Sequence, residues 1–176
     1  MPKSTIELNV REVARLFESL DPYPFRDKDL DRDAEEFIVD WARELPGDHA
    51  FCIVVHLPRT QCETPGAREI PDAIQHHFAH RAEAVSSDLR ELFRTGRVAS
   101  AIGITVLVLC VFASQSAETM LGPGAVARLV EESLIILGWV ANWRPLEIFL
   151  YEWWPIRRRR KLFERLANAD VQVKAT

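Results

Sequence analysis

Two histidines lie four residues apart near the middle of the chain, in a stretch with helical periodicity. His76 and His80 would share one face of a helix, and Glu83 would follow one turn later on that face. Imidazole nitrogens and a carboxylate are ligands that zinc accepts. The glutamate that serves as general base in HExxH peptidases is absent between these histidines. The spacing indicates a candidate metal site without peptidase chemistry, and the alternative is a pair of polar surface histidines.

A second candidate site consists of charged residues inside an apolar stretch. Arg128 precedes Glu131 and Glu132 by three and four residues, the spacing at which side chains meet on a helix. Ionisable residues within a membrane segment are by default functional candidates. Three interpretations stay open: a cluster neutralised at the outer interface, a site that handles protons or ions, and a contact with another subunit.

No motif of a known catalytic site occurs in the chain. A glycine-rich phosphate loop, a GxSxG turn and a paired cysteine and histidine nucleophile are all absent from the sequence. Cys52, Cys62 and Cys110 show no CxxC spacing, so neither a disulfide framework nor a structural zinc site is indicated. We therefore expect a protein that is not an enzyme and has no cofactor.

Two apolar runs of bilayer length dominate the second half of the chain. Residues 98–114 form the first and residues 126–143 the second, although residues 134–154 are an alternative register that would place Arg144 near mid-bilayer. Basic residues flank both outer ends, at 94–97 and 157–161, which by the positive-inside rule keeps both termini in the cytoplasm. The pattern predicts a helical transmembrane hairpin.

The residues after the second run have an interfacial pattern. Arg144 and Glu147 are three residues apart and are predicted to form a hinge pair around Pro145. An apolar stripe follows, and the predicted lipid-surface residues are Trp153, Trp154, Arg157, Arg158, Arg159 and Arg160. Tryptophan suits the headgroup level, and clustered arginine attracts anionic lipid.

Strand and helix patterns alternate in the first 97 residues. Residues 6–10 and 51–55 predict two strands, and residues 171–173 an optional third strand at the sheet edge. Three helices are expected, of which the last runs directly into the first apolar segment. The core face of the helix that begins near Asp31 or Asp33 is predicted to be Phe37, Ile38, Trp41 and Leu45. The predicted fold is an α+β cytoplasmic head (1–97), a transmembrane hairpin (98–145) and an interfacial, basic tail (146–176).

Charge is distributed unevenly along the chain. The net charge is −4 overall, but it is −6 for residues 1–97, −3 for residues 98–155 and +5 for residues 156–176. Binding to nucleic acid is not expected, because the cations needed to neutralise phosphates are concentrated in one short segment.

Three stretches carry a resemblance to a group of small uncharacterised bacterial membrane proteins. They are Leu20-Asp21-Pro22-Tyr23-Pro24-Phe25-Arg26, residues 138–147 (GWVANWRPLE) and residues 151–155 (YEWWP). The resemblance implies a two-span inner-membrane protein with an N-terminal cytoplasmic head, and it assigns no role to any residue.

These observations favour a non-catalytic accessory, assembly or scaffold component of a membrane protein complex. The expected partners are anionic lipid headgroups and another protein in the membrane. Ala99 and Gly103 form a small-xxx-small pair that permits close helix contact, within the hairpin or in a homo-oligomer. The alternatives are a membrane-coupled metal or pH sensor and a small ion-handling subunit.

Overall fold

The computed structural model describes residues 3–17, 29–45 and 49–176. The elements in chain order are β1 (Lys3–Asn9), a 3₁₀ turn (Val13–Leu16), α1 (Arg32–Glu44), β2 (Ala50–Leu57), α2 (Arg59–Cys62), α3 (Pro65–Leu121), α4 (Ala125–Ala141), α5 (Trp143–Glu147), a π-helical turn (Ile148–Glu152), α6 (Trp153–Ala167) and β3 (Asp170–Ala175). Residues 20–26, which carry part of the resemblance, lie outside the described residues.

The three strands form one sheet in the order β1-β2-β3, and both pairs are parallel. Ile53 of β2 is the register partner of Ile6 on one side and of Val171 on the other. The central strand is buried along most of its length, as its continuous apolar run predicted. The predicted edge strand near the C-terminus is confirmed as β3. Parallel strands need crossover connections, and helices supply them here, an arrangement more typical of α/β than of the predicted α+β class.

The chain divides into two compact units, and the first consists of the residues up to Val85 together with Arg158–Thr176. Its core packs one face of α1, the beginning of α3 and the end of α6 with the sheet. Phe78 of α3 and Phe163 of α6 are both fully buried, and their rings stack with centroids 6.1 Å apart. Apolar residues far apart in sequence thus form one core, which favours folding by removing their surface from water.

Helix α1 begins as predicted but presents a different face to the core. Asp31 is its N-cap and accepts a hydrogen bond from the Asp33 amide at 3.0 Å. Ile38 is fully buried, whereas Phe37 and Trp41 are 42% and 47% exposed. The prediction that these two aromatic residues belong to the core is wrong, because the buried stripe of α1 runs instead through Ile38, Val39 and Ala42.

The prediction that the third helix continues into the first apolar run is confirmed by α3, a single helix of 57 residues. In the described part of the chain, α3 is the one helix long and apolar enough to cross a membrane. Its candidate stretch has a mean hydropathy of 2.1 and is 17% buried. The second predicted span corresponds to α4, which has 17 residues and ends at Ala141. The predicted pair of spans is therefore found only in part: α3 is long and apolar enough to cross a membrane, and α4 is too short to count as a second such helix.

The observed units also differ from the predicted domains. The second unit is Ser86–Arg157, so it includes the last part of the predicted head and the start of the predicted tail. Residues 158–176 belong to the first unit, since β3 pairs with β2. The head has more helical elements than the three predicted, because the short helix α2 and the end of α6 contribute to it. The basic tail is thus part of the folded head.

Candidate functional site

The second unit has two helical limbs, the part of α3 from Ser86 to Leu121 and the returning segment that begins with α4 at Ala125. Glycines form the contact between these limbs. A Cβ added at Gly103 of α3 would lie 2.9 Å from the carbonyl oxygen of Ala141, and one added at Gly138 of α4 would lie 3.2 Å from Cα of Leu107. Both distances are too short for a side chain next to backbone. The limbs therefore approach as closely as backbone atoms allow, a contact typical of helices packed in lipid.

Buried positions follow a seven-residue repeat along both limbs. On α3, Gly96, Gly103, Cys110 and Ala117 are buried at intervals of seven. On the returning limb, the buried residues Ala127, Gly138, Pro145 and Ile148 alternate with the half-buried residues Glu131, Leu134 and Ala141 in steps of four and three. This repeat is characteristic of helices that pack along one continuous seam.

Asn142, at the end of α4, forms hydrogen bonds at the contact between the two limbs. Its side-chain amide donates hydrogen bonds to the carbonyl oxygens of Gly103, at 3.0 Å, and Gly138, at 2.9 Å. The first bond joins the two limbs, and the second caps its own helix. The predicted small pair Ala99 and Gly103 therefore has at least one member in contact within the chain.

The outer surfaces of the two limbs are large and apolar. Exposed residues include Ile102, Leu109 and Phe112 of α3, each more than 60% exposed, and Ile136 and Trp139 of α4, exposed to 62% and 65%. Small residues inside and large apolar residues outside reverse the usual arrangement of a water-soluble helix pair. This surface is suited to an apolar environment, whether lipid or protein.

Hydroxyl groups within the apolar part of α3 are satisfied by the helix itself. Ser100, Thr105, Ser114, Ser116 and Thr119 each donate to a backbone carbonyl three or four residues earlier, at 2.8 to 3.1 Å. Such bonding removes the cost of placing a polar group where water is absent.

The charged cluster at the start of α4 is only partly brought together. Arg128 and Glu132 line the same shallow groove next to the Gly122–Gly124 turn, and Glu131 is half-buried on the seam. Within the described residues, Arg128 forms no salt bridge with either glutamate. Continuing the register set by Gly103 and Gly138 places Glu131 at the level of Ser114. Glu131 therefore lies along the seam, whereas the cation predicted to neutralise it is exposed.

The predicted ion pair between Arg144 and Glu147 is present, with Nη1 of Arg144 3.0 Å from Oε2 of Glu147. Arg144 also bonds Glu152, which lies in the π-helical turn and was not predicted. Two carboxylates on one guanidinium join α5 to the turn that follows it.

Trp153 and Trp154 lie next in the chain. The Arg157 guanidinium lies 5.7 Å from the centre of the Trp153 ring, and the indole N–H of Trp153 donates a hydrogen bond to the Phe149 carbonyl.

Two arginines of the predicted lipid-surface residues, Arg159 and Arg160, have partners on their own helix, α6. The Arg160 Nε donates to Glu164 at 2.7 Å, and the Arg159 guanidinium lies 5.4 Å from the centre of the Phe163 ring. Arg158 and Arg159 are exposed. Their role at a lipid surface stays a prediction.

The predicted metal ligands do not converge. His76, His80 and Glu83 are all exposed on α3. Across residues 3–17, 29–45 and 49–176, no group of three or more histidine, cysteine, aspartate or glutamate side chains is placed to hold a metal ion. The physical reason is the helical rise, because positions seven apart are separated by about 10 Å along the axis.

His77, which lies between those histidines and was not predicted, is the buried one. Its Nε2 lies 3.2 Å from Oε2 of Glu35, and its Nδ1 lies 2.9 Å from Oδ1 of Asp29 and 3.3 Å from the Leu30 amide. Nδ1 accepts from the Leu30 amide in the tautomer that carries the proton on Nε2, and it donates to Asp29 when it carries a proton itself. Arg81 completes the cluster by donating to Oε1 of Glu35 through two nitrogens, at 2.8 and 2.7 Å.

Two aromatic side chains of α1, Phe37 and Trp41, are exposed in the first unit. The rings of Phe37 and Trp41 are 5.9 Å apart, and Phe37 also lines a groove of about 870 Å³ beside β1. Strand β1 is at the edge of the sheet. Exposed aromatic side chains beside a sheet edge form a surface suited to a protein partner.

No family model, curated protein or solved structure matches this chain.

Proposed function

We propose that the chain is a non-catalytic integral protein of the bacterial cytoplasmic membrane that acts as an accessory, assembly or scaffold component of a membrane protein complex. Residues 86–157 contain the membrane-inserted part, and the α/β head remains in the cytoplasm with both chain ends. The Phe37 and Trp41 surface receives the protein partner. Anionic lipid contacts the basic residues near the inner interface.

The observation that carries this proposal is the pairing of β3 with β2. Residues 50–57 and 170–175 belong to one sheet, so they lie in the same compartment. If α3 crosses the membrane, the chain must cross back before residue 170. Helix α4 is about 25 Å long, slightly less than the roughly 30 Å hydrocarbon layer, and α5 follows it after Asn142. We assign the return crossing to α4 with the beginning of α5.

The surface chemistry of the limbs supports the same assignment. Large apolar side chains cover the outside of both limbs, and glycine and other small residues line the seam. In lipid, close packing and hydrogen bonds replace the hydrophobic effect as the source of helix association. The glycine contacts and the Asn142 bonds supply both.

A cysteine placed at Gly124, in the turn between α3 and α4, should react with a membrane-impermeant maleimide in intact spheroplasts. A cysteine in place of Lys174, which is exposed on β3, should react only after lysis. The two substitutions test opposite sides of the proposed membrane, because the turn is translocated and the sheet is not. Labelling yields are measured by gel shift after membrane isolation.

The unsubstituted protein is the control, since it measures the reactivity of Cys52, Cys62 and Cys110. Labelling of the Lys174→Cys variant before lysis would exclude a cytoplasmic head. Recovery of the protein in the soluble fraction after gentle lysis would exclude membrane insertion altogether.

Substituting Phe37→Ser together with Trp41→Ser should abolish capture of the partner complex while leaving the head folded. Each ring is still more than half buried, so its loss costs about 1–2 kcal/mol, less than removal of a core residue, whereas aromatic residues at an interface often dominate the binding energy. The measurement is quantitative mass spectrometry of proteins cross-linked to the chain at native expression and purified in mild detergent.

The matched control is the double substitution Arg32→Ser and Glu36→Ser, which changes two exposed residues of the same helix. The proposal requires a defined set of membrane proteins that is retained by this control and lost from the aromatic variant. Recovery of the chain alone from wild-type cells, or equal capture by both variants, would contradict it.

A further inference from the structure

Three arginines occupy one face of α3 immediately before its apolar segment. Arg90, Arg94 and Arg97 follow one another at intervals of four and three residues, so their side chains project from the same side of the helix. They border a groove of about 660 Å³ in the second unit. The residues that line it are Arg90, Glu91, Phe93, Arg94, Arg97 and Phe149.

The charge in this groove is mostly uncompensated. All three arginines are exposed, and Arg90 donates to the Ser87 hydroxyl at 2.9 Å. Arg94 and Arg97 form no hydrogen bond or salt bridge with any described residue. Glu91 contributes a single carboxylate to the lining. The groove therefore keeps an excess of positive charge and free guanidinium donors, which suits an anionic ligand.

One wall of the groove is aromatic. The rings of Phe93 and Phe149 stack with centroids 6.1 Å apart and planes inclined by 29°. Gly96 permits this approach, because a Cβ there would lie 3.1 Å from Cζ of Phe149 and 2.9 Å from Cγ2 of Ile148. Phe149 belongs to the π-helical turn, a deviation from α-helix that often occurs at functional sites. The ligand thus meets both cationic and apolar surface.

The position of the groove along α3 identifies the source of such a ligand. Arg97 directly precedes Val98, where the apolar run begins. Arg90 to Arg97 spans about 10 Å of helix, comparable with the headgroup region on one side of a bilayer. A ligand bound here would place its anionic group among the arginines and its apolar part beside the apolar run. Phospholipids have this combination of a phosphate group and hydrocarbon chains.

We propose that this groove binds the phosphate group of an anionic phospholipid of the inner leaflet, with the guanidinium groups of Arg90, Arg94 and Arg97 on the phosphate oxygens and an acyl chain along Phe149. This inference rests on the proposed membrane insertion of the second unit. Basic pockets beside membrane helices on the cytoplasmic side are known to hold anionic headgroups. Binding in this groove would be more specific than a general attraction of basic residues to an anionic membrane surface, because the groove combines three cations on one helical face with an aromatic wall.

The test uses the full chain reconstituted into phosphatidylcholine vesicles that contain a minority of phosphatidylglycerol. After extraction, native mass spectrometry measures how much of each lipid stays bound. Wild-type protein should retain phosphatidylglycerol in preference to phosphatidylcholine. The triple variant Arg90→Gln, Arg94→Gln and Arg97→Gln should retain it about 100-fold less tightly, since each arginine near an anionic surface contributes a factor of roughly five.

The matched control removes the same charge elsewhere, through Arg32→Gln, Arg59→Gln and Arg68→Gln, all exposed and none in the groove. Equal retention by this control and by wild type supports the inference. Equal losses in both triple variants, or equal retention of the two lipids by wild type, would overturn it. Competition separates the sources: displacement of the bound lipid by millimolar inorganic phosphate would identify free phosphate as the ligand and overturn the lipid assignment.

Two further outcomes separate this inference from the proposed function. A protein that fails to insert into the vesicles contradicts membrane insertion itself. A protein that inserts but shows no lipid preference contradicts the groove alone. Capture of an acidic protein segment that competes with phosphatidylglycerol for the same three arginines would also overturn the lipid assignment.

Discussion

Replacing Gly103 by leucine should separate the two helical limbs of the second unit and destabilise their association by roughly 3 kcal/mol. A side chain at this position meets the carbonyl oxygen of Ala141 at 2.9 Å and the side-chain oxygen of Asn142 at 2.8 Å. The Ala141 carbonyl is backbone, so it cannot turn aside. The limbs must move apart, and the hydrogen bond from Asn142 to the Gly103 carbonyl is lost with them.

The effect is measured by unfolding the purified protein in detergent and following its tryptophan fluorescence, since Trp139 and Trp143 lie on the returning limb. The control is Gly124→Leu, which adds the same side chain where nothing lies within 4 Å and where the backbone is extended at φ −178°. Gly124→Leu should lower the midpoint far less, because it loses only the preference for glycine at the N-cap of α4, about 1 kcal/mol or less. Similar midpoints for both variants would show that the glycine seam is not a close contact.

Replacing His77 by leucine should lower the stability of the first unit by roughly 2–3 kcal/mol, although leucine is the more apolar side chain. The imidazole is 4% exposed, its Nδ1 lies beside Asp29 and the Leu30 amide, and its Nε2 lies beside Glu35. Removing it leaves the Leu30 amide without its acceptor. It also leaves Glu35, whose side chain is 15% exposed, with Arg81 as its remaining partner in the cluster. Burying groups without their hydrogen bonds costs more than the added methyl groups return.

Hydrogen exchange at the Leu30 amide, together with the free energy of unfolding in urea, measures this effect. The control is His80→Leu, the same change at an exposed position on the same helix, which should shift stability by about 0.5 kcal/mol or less. A His77→Leu variant as stable as wild type would mean that the cluster contributes nothing to the fold.

Local patterns predicted the strands, the start of α1 and the continuity of α3. Strand β2 is a continuous apolar run, and Asp31 is followed by acidic residues suited to a helix start. From Pro71 onward, no further proline or turn cluster interrupts the apolar stripe before Val98, apart from the single Gly96. Each of these features depends on neighbours along the chain. The parallel pairing of β3 with β2 depends instead on residues more than a hundred positions apart, and periodicity carries no information about partners at that distance.

The face of α1 could not be read from hydrophobicity alone. Phe37 and Trp41 are more hydrophobic than Ala42, yet Ala42 is buried and the aromatic residues are exposed. Burial is decided by where the sheet and α3 provide space, and an exposed aromatic pair looks the same in sequence as a core pair.

Parts of the candidate sites were visible in the sequence. Gly96, Gly103, Cys110 and Ala117 are small residues at intervals of seven, which is the pattern of a packed helix seam. His77 lies on the same helical stripe as Ile74 and Phe78, so its burial follows from periodicity, whereas its partners Asp29 and Glu35 do not. The spacing of His76 and His80 was misleading because they point away from that stripe.

The location of β3 after both helical limbs of the second unit has a consequence for biosynthesis. Until the ribosome has released residues 170–175, β2 has an unpaired edge and the head lacks the last strand of its sheet. If α3 and α4 cross the membrane as proposed, their insertion precedes completion of the sheet. A chain that stalls before residue 170 would leave the edge of β2 open to aggregation, so protein quality control could recognise it by the missing strand.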